Sequence, residues 1–248
     1  MSLFTKQLKS KKMKTNTTTK AILLLILTIA ISPISLASSD KTVIKNYTIK
    51  AFSTLKVSSA FKVEFIHSNE NKVSVEIDED EADHLYVGTS ENELTIKLKD
   101  CMNCRTHVLK ATVYGNSLSE IFISGASSFT STYTFTEKKM NIKSSGASKI
   151  EISLNTENLG ADVSGASKIT VKGKATTQEI DASGASNYNG KECKNNNSNI
   201  TASGASKITI DCADTLHAEA SGASSIKYIS KPKTVNQDIS GASNISLD

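Results

Sequence analysis

The chain predicts an all-β fold, a right-handed parallel β-helix or β-solenoid with about 19 residues per coil, and three observations carry that prediction. The tetrapeptide Ser-Gly-Ala-Ser occurs seven times, with glycines at Gly125, Gly146, Gly165, Gly184, Gly204, Gly222 and Gly241. Successive glycines are 21, 19, 19, 20, 18 and 19 residues apart, and a nearly fixed period of that length marks a solenoid of stacked turns. On both sides of each glycine, apolar residues recur at a step of two, the period of a strand with one wet face. The hand follows the general preference of parallel crossovers.

The first 37 residues read as a signal peptide, and 38–248 as a single domain. Lys6, Lys9, Lys11, Lys12, Lys14 and Lys20 precede an apolar run from Ala21 to Ile31, and Ser35-Leu36-Ala37 supplies small residues for cleavage after Ala37. The run is too short to span a bilayer, so no transmembrane anchor is expected after cleavage. The leader holds six lysines and no acid, which takes the formal +4 of the whole chain to −2. A nucleic-acid partner thereby loses its only support.

Residues 41–120 carry strand-like runs at Val43 to Ile49, Leu55 to Val57, Phe61 to Ile66, Val73 to Ile77, Leu94 to Leu98 and Val108 to Tyr114, without the glycine signature. They read as irregular coils of the same solenoid merging into a cap over its first rung, because an open strand edge recruits other chains. Residues 121–248 are the regular repeats. Four residues after each glycine stand Phe129, Ile150, Ile169, Tyr188, Ile208, Ile226 and Ile245, an uncharged column expected to form the inward ladder. Two residues before the glycine, Ile123, Val163, Ala182, Ala202, Ala220 and Ile239 continue the alternation, so the glycine sits at a corner between two short strands. It is required there by a positive φ or by close packing of coils, which the sequence does not separate. Leucine-rich and helical repeats are excluded, since no copy holds Leu-x-x-Leu-x-Leu and strings such as Ser-Lys-Ile-Thr-Val are β-branched. At the other end the last strand is either covered by a partner or a second copy, giving a homo-oligomer through the C-terminal coil, or blunted by Asn244 and Asp248.

Export makes disulfides the first reading of the four cysteines. Cys101 and Cys104 suggest a local bridge, and Cys193 and Cys212, one period apart, suggest a staple across two coils. Catalytic and metal chemistry find little support, and no cofactor is expected. His67, His84, His107 and His217 lack metal-binding spacing, and the acidic stretch from Glu76 to Asp83 lacks the glycine of a calcium loop and reads as a solvated turn. Asp162, Asp181, Glu219 and Asp238 share one outward column, interrupted by Thr201 and preceded by Lys143, and read as a charged outer face. Lys149, Lys168, Asn187, Lys207 and Asn244 form a second polar ladder just after each corner. There is no Trp for stacking a sugar.

The run Phe52-x-x-Leu55-x-Val57, Phe61-Lys62-Val63-x-Phe65, Leu94-Thr95-Ile96, Val113 and Leu118-x-x-Ile121, followed by Ser-Gly-Ala-Ser at each period, resembles the exported bacterial family named "putative autotransporter adhesin, head GIN domain" from about residue 45 onward. The resemblance implies a β-helical or β-solenoid domain of an exported protein, with no established enzymatic activity and no catalytic residues to carry over. The resulting expectation is a non-catalytic cell-envelope or cell-surface binding protein with a cell-surface or glycan ligand, periplasmic or outer-surface in location. The rival is an enzyme or binding module acting on polysaccharide through the outward polar or acidic face.

Overall fold

A computed structural model describes residues 41–99 and 107–248. The leader and the Cys101 and Cys104 pair lie outside the described residues. In chain order the strands are Thr42–Thr48 (β1), Thr54–Val57 (β2), Lys62–His67 (β3), Lys72–Asp78 (β4), Leu85–Ser90 (β5), Glu93–Leu98 (β6), Leu109–Gly115 (β7), Glu120–Ile123 (β8) and Ser128–Phe135 (β9). They continue as Lys139–Ser144 (β10), Lys149–Val163 (β11), Lys168–Ala182 (β12), Asn187–Ala202 (β13), Lys207–Ala220 (β14), Ser225–Tyr228 (β15), Thr234–Ile239 (β16) and Asn244–Leu247 (β17). A short 3-10 helix, Glu79–His84, joins β4 to β5.

From β8 onward every pairing is parallel, coil on coil, and the chain is a β-solenoid of about seven turns. The inward ladder is continuous: Phe129 pairs with Ile150, Ile150 with Ile169, Ile169 with Tyr188, Tyr188 with Ile208, Ile208 with Ile226 and Ile226 with Ile245. All seven are buried, six of them at 0% exposure. Removing such a side chain from water contributes about 2 kcal/mol. The column two residues before the glycine is equally ordered, Val163 on Ala182, Ala202 and Ala220. Its last member departs from the expectation: Ile239 is 44% exposed, as is Leu247 at 51%. Both belong to the terminal coil, where β16 pairs with β14 and β17 with β15 and no further described strand packs outside them.

The corner glycines satisfy both conditions that the sequence left open. Their φ values lie between +70° and +74°, a region that costs a Cβ-bearing residue energy. A Cβ on Gly165 would also stand 2.5 Å from the carbonyl oxygen of Gly146. The approach is close because the Ala166 amide donates to that same oxygen at 2.7 Å, and Ala185 repeats the bond one coil further on. The corner serine at the end of each tetrapeptide turns inward: the Ser167 hydroxyl lies 2.9 Å from the Ser144 carbonyl and 2.5 Å from the Ser164 carbonyl, tying its own turn to the neighbouring coil.

Residues 41–120 contain both coils and a cap, in an order that the sequence does not announce. β2 and β3 form a coil whose Thr54 pairs with Glu120 on one side and Glu93 on the other, so the later segment β6–β7 lies outside the earlier one. Its corner uses Ser59 and Ala60, at φ +77° and +69°, in place of glycine. Antiparallel strands close this end: β4 runs between β7 and β1, and β5 folds back on β6 through Glu91-Asn92, both at positive φ. That turn is the mirror-image type that matches strand twist. The acidic stretch is divided between β4 and the 3-10 helix, and the buried Asp78 carboxylate accepts the His107 and Val108 amides at 2.6 and 3.2 Å.

The Cys193–Cys212 staple is corrected by the register. Both cysteines are buried free thiols. Gly190 pairs with Ile210 but Lys194 with Asp211, a bulge that sets Cys212 beside Asn195 and leaves Cys193 against Gly173. One sequence period is therefore not one register step in this coil. The interior here is polar as well as apolar. The fully buried Tyr188 hydroxyl donates to Gln178 Oε1 at 3.4 Å, Gln178 Nε2 donates to Ser198 Oγ at 2.9 Å, and Ser198 Oγ donates to Asn195 Oδ1 at 2.5 Å. Asn195 Nδ2 ends the chain on the Asp211 carbonyl at 2.8 Å. The network satisfies groups whose unpaired burial is costly. Burial pushes the Cys193 thiol up to about 12, with the Asp211 charge adding to the effect.

Candidate functional site

Each coil turns two strands outward to solvent, one before the corner and one after it. Alternation aims every second side chain of each strand away from the core, and parallel in-register stacking converts those positions into columns.

On the face before the corner, the column nearest the glycine runs Lys143, Asp162, Asp181, Thr201, Glu219 and Asp238, each paired in register with the next. The expected acid column is thus real. Asp162 is already engaged, since its Oδ2 lies 2.6 Å from Lys143 Nζ, and this carboxylate holds the lysine ammonium above its usual range. The next column outward holds Asn141, Gly160, Glu179, Asn199 and His217, and the one beyond it Lys139, Asn158, Thr177, Asn197 and Thr215. Along these two columns lies an open groove of about 520 Å³. It meets a second concavity of about 420 Å³ beside the acid column, with Asn141, Gly160 and Glu179 common to both. Gly160 makes the depression, because it alone in its column presents no side chain to solvent. Polar contacts order the walls: Thr177 Oγ1 donates to Asn158 Oδ1 at 2.7 Å, Asn141 Nδ2 donates to Glu120 Oε1 at 3.1 Å, and Asn236 Nδ2 donates to His217 Nδ1 at 3.4 Å.

The face after the corner is ordered by ion pairs. Lys149 meets Glu151 at 2.7 Å and Lys172 meets Glu192 at 3.2 Å, and Lys149 holds the Glu151 carboxyl below its usual range. Lys168, Asn187 and Lys207 continue the ladder in register. Exposed pairs of this kind contribute about 0–1 kcal/mol each, and they leave this face a mixture of both signs.

Of the histidines, His67 stacks on Tyr133 with ring centroids 4.3 Å apart and its Nδ1 is 2.6 Å from the Asn116 carbonyl oxygen, while His84 Nδ1 lies 3.1 Å from the Lys99 carbonyl oxygen. Among the described residues no group of three or more His, Cys, Asp or Glu side chains is placed to hold a metal ion. The groove residues Asn158, Thr177, Glu179, Asn197 and Thr215 are the ones that sequence reasoning passed over. For all but Glu179 the signal was present: counted back from each glycine after Gly125, the seventh position is Lys139, Asn158, Thr177, Asn197, Thr215 and Thr234, all polar.

A solenoid of short parallel coils with a glycine corner, capped by antiparallel strands, defines the class of protein. Residues 51–232 match the family described as "Putative auto-transporter adhesin, head GIN domain", and the chain belongs to that family. Solved structures share the fold. A putative adhesin from Bacteroides fragilis NCTC 9343 superposes with a TM-score of 0.80 at 19% identity, covering 85% of this chain and 98% of its own. A "putative lipid binding protein" from Parabacteroides distasonis ATCC 8503 gives 0.65 at 19% identity with the same coverages, and a putative adhesin from Parabacteroides merdae ATCC 43184 gives 0.66 at 17%, covering 85% and 97%. No curated protein matches the chain.

Proposed function

We propose that this chain is an exported, non-catalytic binding protein of the cell envelope or cell surface, acting as an adhesin. One observation carries the reading: the solenoid stacks polar side chains into columns coil upon coil, in register across five coils before the corner. A face of that kind meets a repetitive surface many times weakly, and linked weak contacts multiply into avidity. Membership of an adhesin family and likeness to structures named as adhesins support the same reading. Non-catalytic action is supported at the acid column, where Asp162 is paired with Lys143. The Lys-rich leader and the apolar run after it support export.

The test has two parts. Protease applied to intact cells should digest the protein if it faces outward and spare it if it is periplasmic. Bound-cell counts on surfaces coated with the purified chain should exceed those on uncoated surfaces, and equal counts would remove the adhesin reading.

A further inference from the structure

The groove before the corner has the chemistry of a particular ligand. Most of its outward side chains are amides and hydroxyls, Asn141, Asn158, Thr177, Asn197, Asn199 and Thr215, one or two from each of five successive coils, with Lys139, Glu179 and His217 standing among them. Amides and hydroxyls donate and accept at once, so they can bind hydroxyls of either orientation. The coils are about 4.8 Å apart, whereas an extended peptide advances about 3.3 Å per residue. A peptide lying along the axis would therefore lose step with the columns within a few residues. It would also find no free strand edge, since the backbone groups of this face are spent on the coils above and below. An acyl chain would find only the carbon atoms of polar side chains to lie against, because the one aliphatic side chain in the lining, Leu159, is only 2% exposed.

Charge narrows the choice further. The concavity around Gly160 holds Glu120, Asp162, Glu179 and Asp181 against Lys143, and Lys143 is held by Asp162. A polymer bearing carboxylates or sulfates would meet like charge there.

We infer that the groove centred on Gly160 binds a linear, uncharged polysaccharide laid along the solenoid axis, its hydroxyls engaging the asparagine and threonine columns coil by coil. This rests on the adhesin reading and names the ligand of that surface.

Titration calorimetry of the purified chain with cello-, xylo-, manno- and chitohexaose, and with polygalacturonate, tests it. Saturable binding of at least one neutral hexasaccharide is expected, with none of polygalacturonate. Gly160→Phe fills the depression and should weaken that binding by at least about tenfold. Gly160 has no positive φ, and a Cβ there would meet the far end of the Asn141 side chain at 2.9 Å, a flexible group that can shift at the expense of its hydrogen bond to Glu120. Gly160→Ala should therefore keep the fold and weaken binding less, which guards against a folding defect in the larger variant. Failure of all four neutral sugars, tighter binding of polygalacturonate, or unchanged affinity in a folded Gly160→Phe chain would overturn the assignment. Cell-binding counts with Gly160→Phe separate the two readings. Undiminished adhesion by that variant overturns the groove assignment alone, and hexasaccharide binding by a chain that never retains cells overturns the adhesin reading alone.

Discussion

At the scale of single residues, burial and backbone geometry set sharply different tolerances one position apart. Ile169 is fully buried and pairs with Ile150 and Tyr188, while its neighbour Lys168 points to solvent. Ile169→Asp places an unpaired carboxylate among aliphatic side chains and should abolish cooperative unfolding, whereas Lys168→Asp should change the unfolding free energy by less than about 0.5 kcal/mol. Thermal denaturation followed by circular dichroism measures both. Gly165→Ala combines a φ of +70° with a 2.5 Å approach to a carbonyl oxygen, and should cost more than the roughly 1 kcal/mol of left-handed backbone alone. The buried thiol gives a pH dependence of definite sign. The Cys193 thiol is raised from its usual 9 to about 12. Below pH 9 both folded and unfolded chains keep the proton. Above it the unfolded chain releases the proton first, so stability falls as pH rises towards 12. Tyr188, also pushed up by burial, acts in the same direction above its usual 10. Urea unfolding between pH 9 and 11 should show a slope shallower by up to about 1.4 kcal/mol per pH unit in Cys193→Ala; equal slopes would place the thiol in contact with solvent.

At the scale of elements, each coil is a nearly interchangeable layer, because its principal contacts are with the coils on either side. Removing Lys168 to Ser186, one whole period, joins the Ser167 corner to the strand at Asn187 and restores an inward column of Ile150 on Tyr188. The shortened chain should keep its β spectrum and unfold cooperatively, as nearest-neighbour stacking requires, with a lower midpoint because the buried Tyr188 hydroxyl and Ser198 lose Gln178. Removing half that length, residues 168–176, breaks the period and should leave an aggregated product by light scattering. The regular strands after Gly125 were legible in the sequence because every copy repeats the same alternation. β5 was not, since Leu85–Ser90 shows no alternation of buried and exposed positions, both of its faces being half-buried, and carries a glycine. The corner at Ser59 and Ala60 was hidden for a related reason. Ser59 and Ala60 both take a positive φ without being glycine, so no Ser-Gly-Ala-Ser marks the bend, although its neighbour on one side is the Gly125 corner.

At the scale of the whole molecule, chain order and spatial order part company. The first coil, β2–β3, is flanked by β6–β7 and β8–β9, so the cap is built from residues that precede and follow it. The antiparallel pairs of β4 with β1 and of β5 with β6 then turn this end away from further parallel stacking. The opposite end keeps Ile239 and Leu247 partly exposed. The sequence by itself determined the solenoid, its period, the corner glycines and the seven inward residues from Phe129 to Ile245, because local periodicity records which side of a strand faces the core. Only the tertiary structure decided the interleaved N-terminal coils, the separation of Cys193 from Cys212 by a bulge, and the groove at Gly160. The first two depend on register between segments that the period does not relate, and the groove depends on the depth that the missing Gly160 side chain leaves between neighbouring coils.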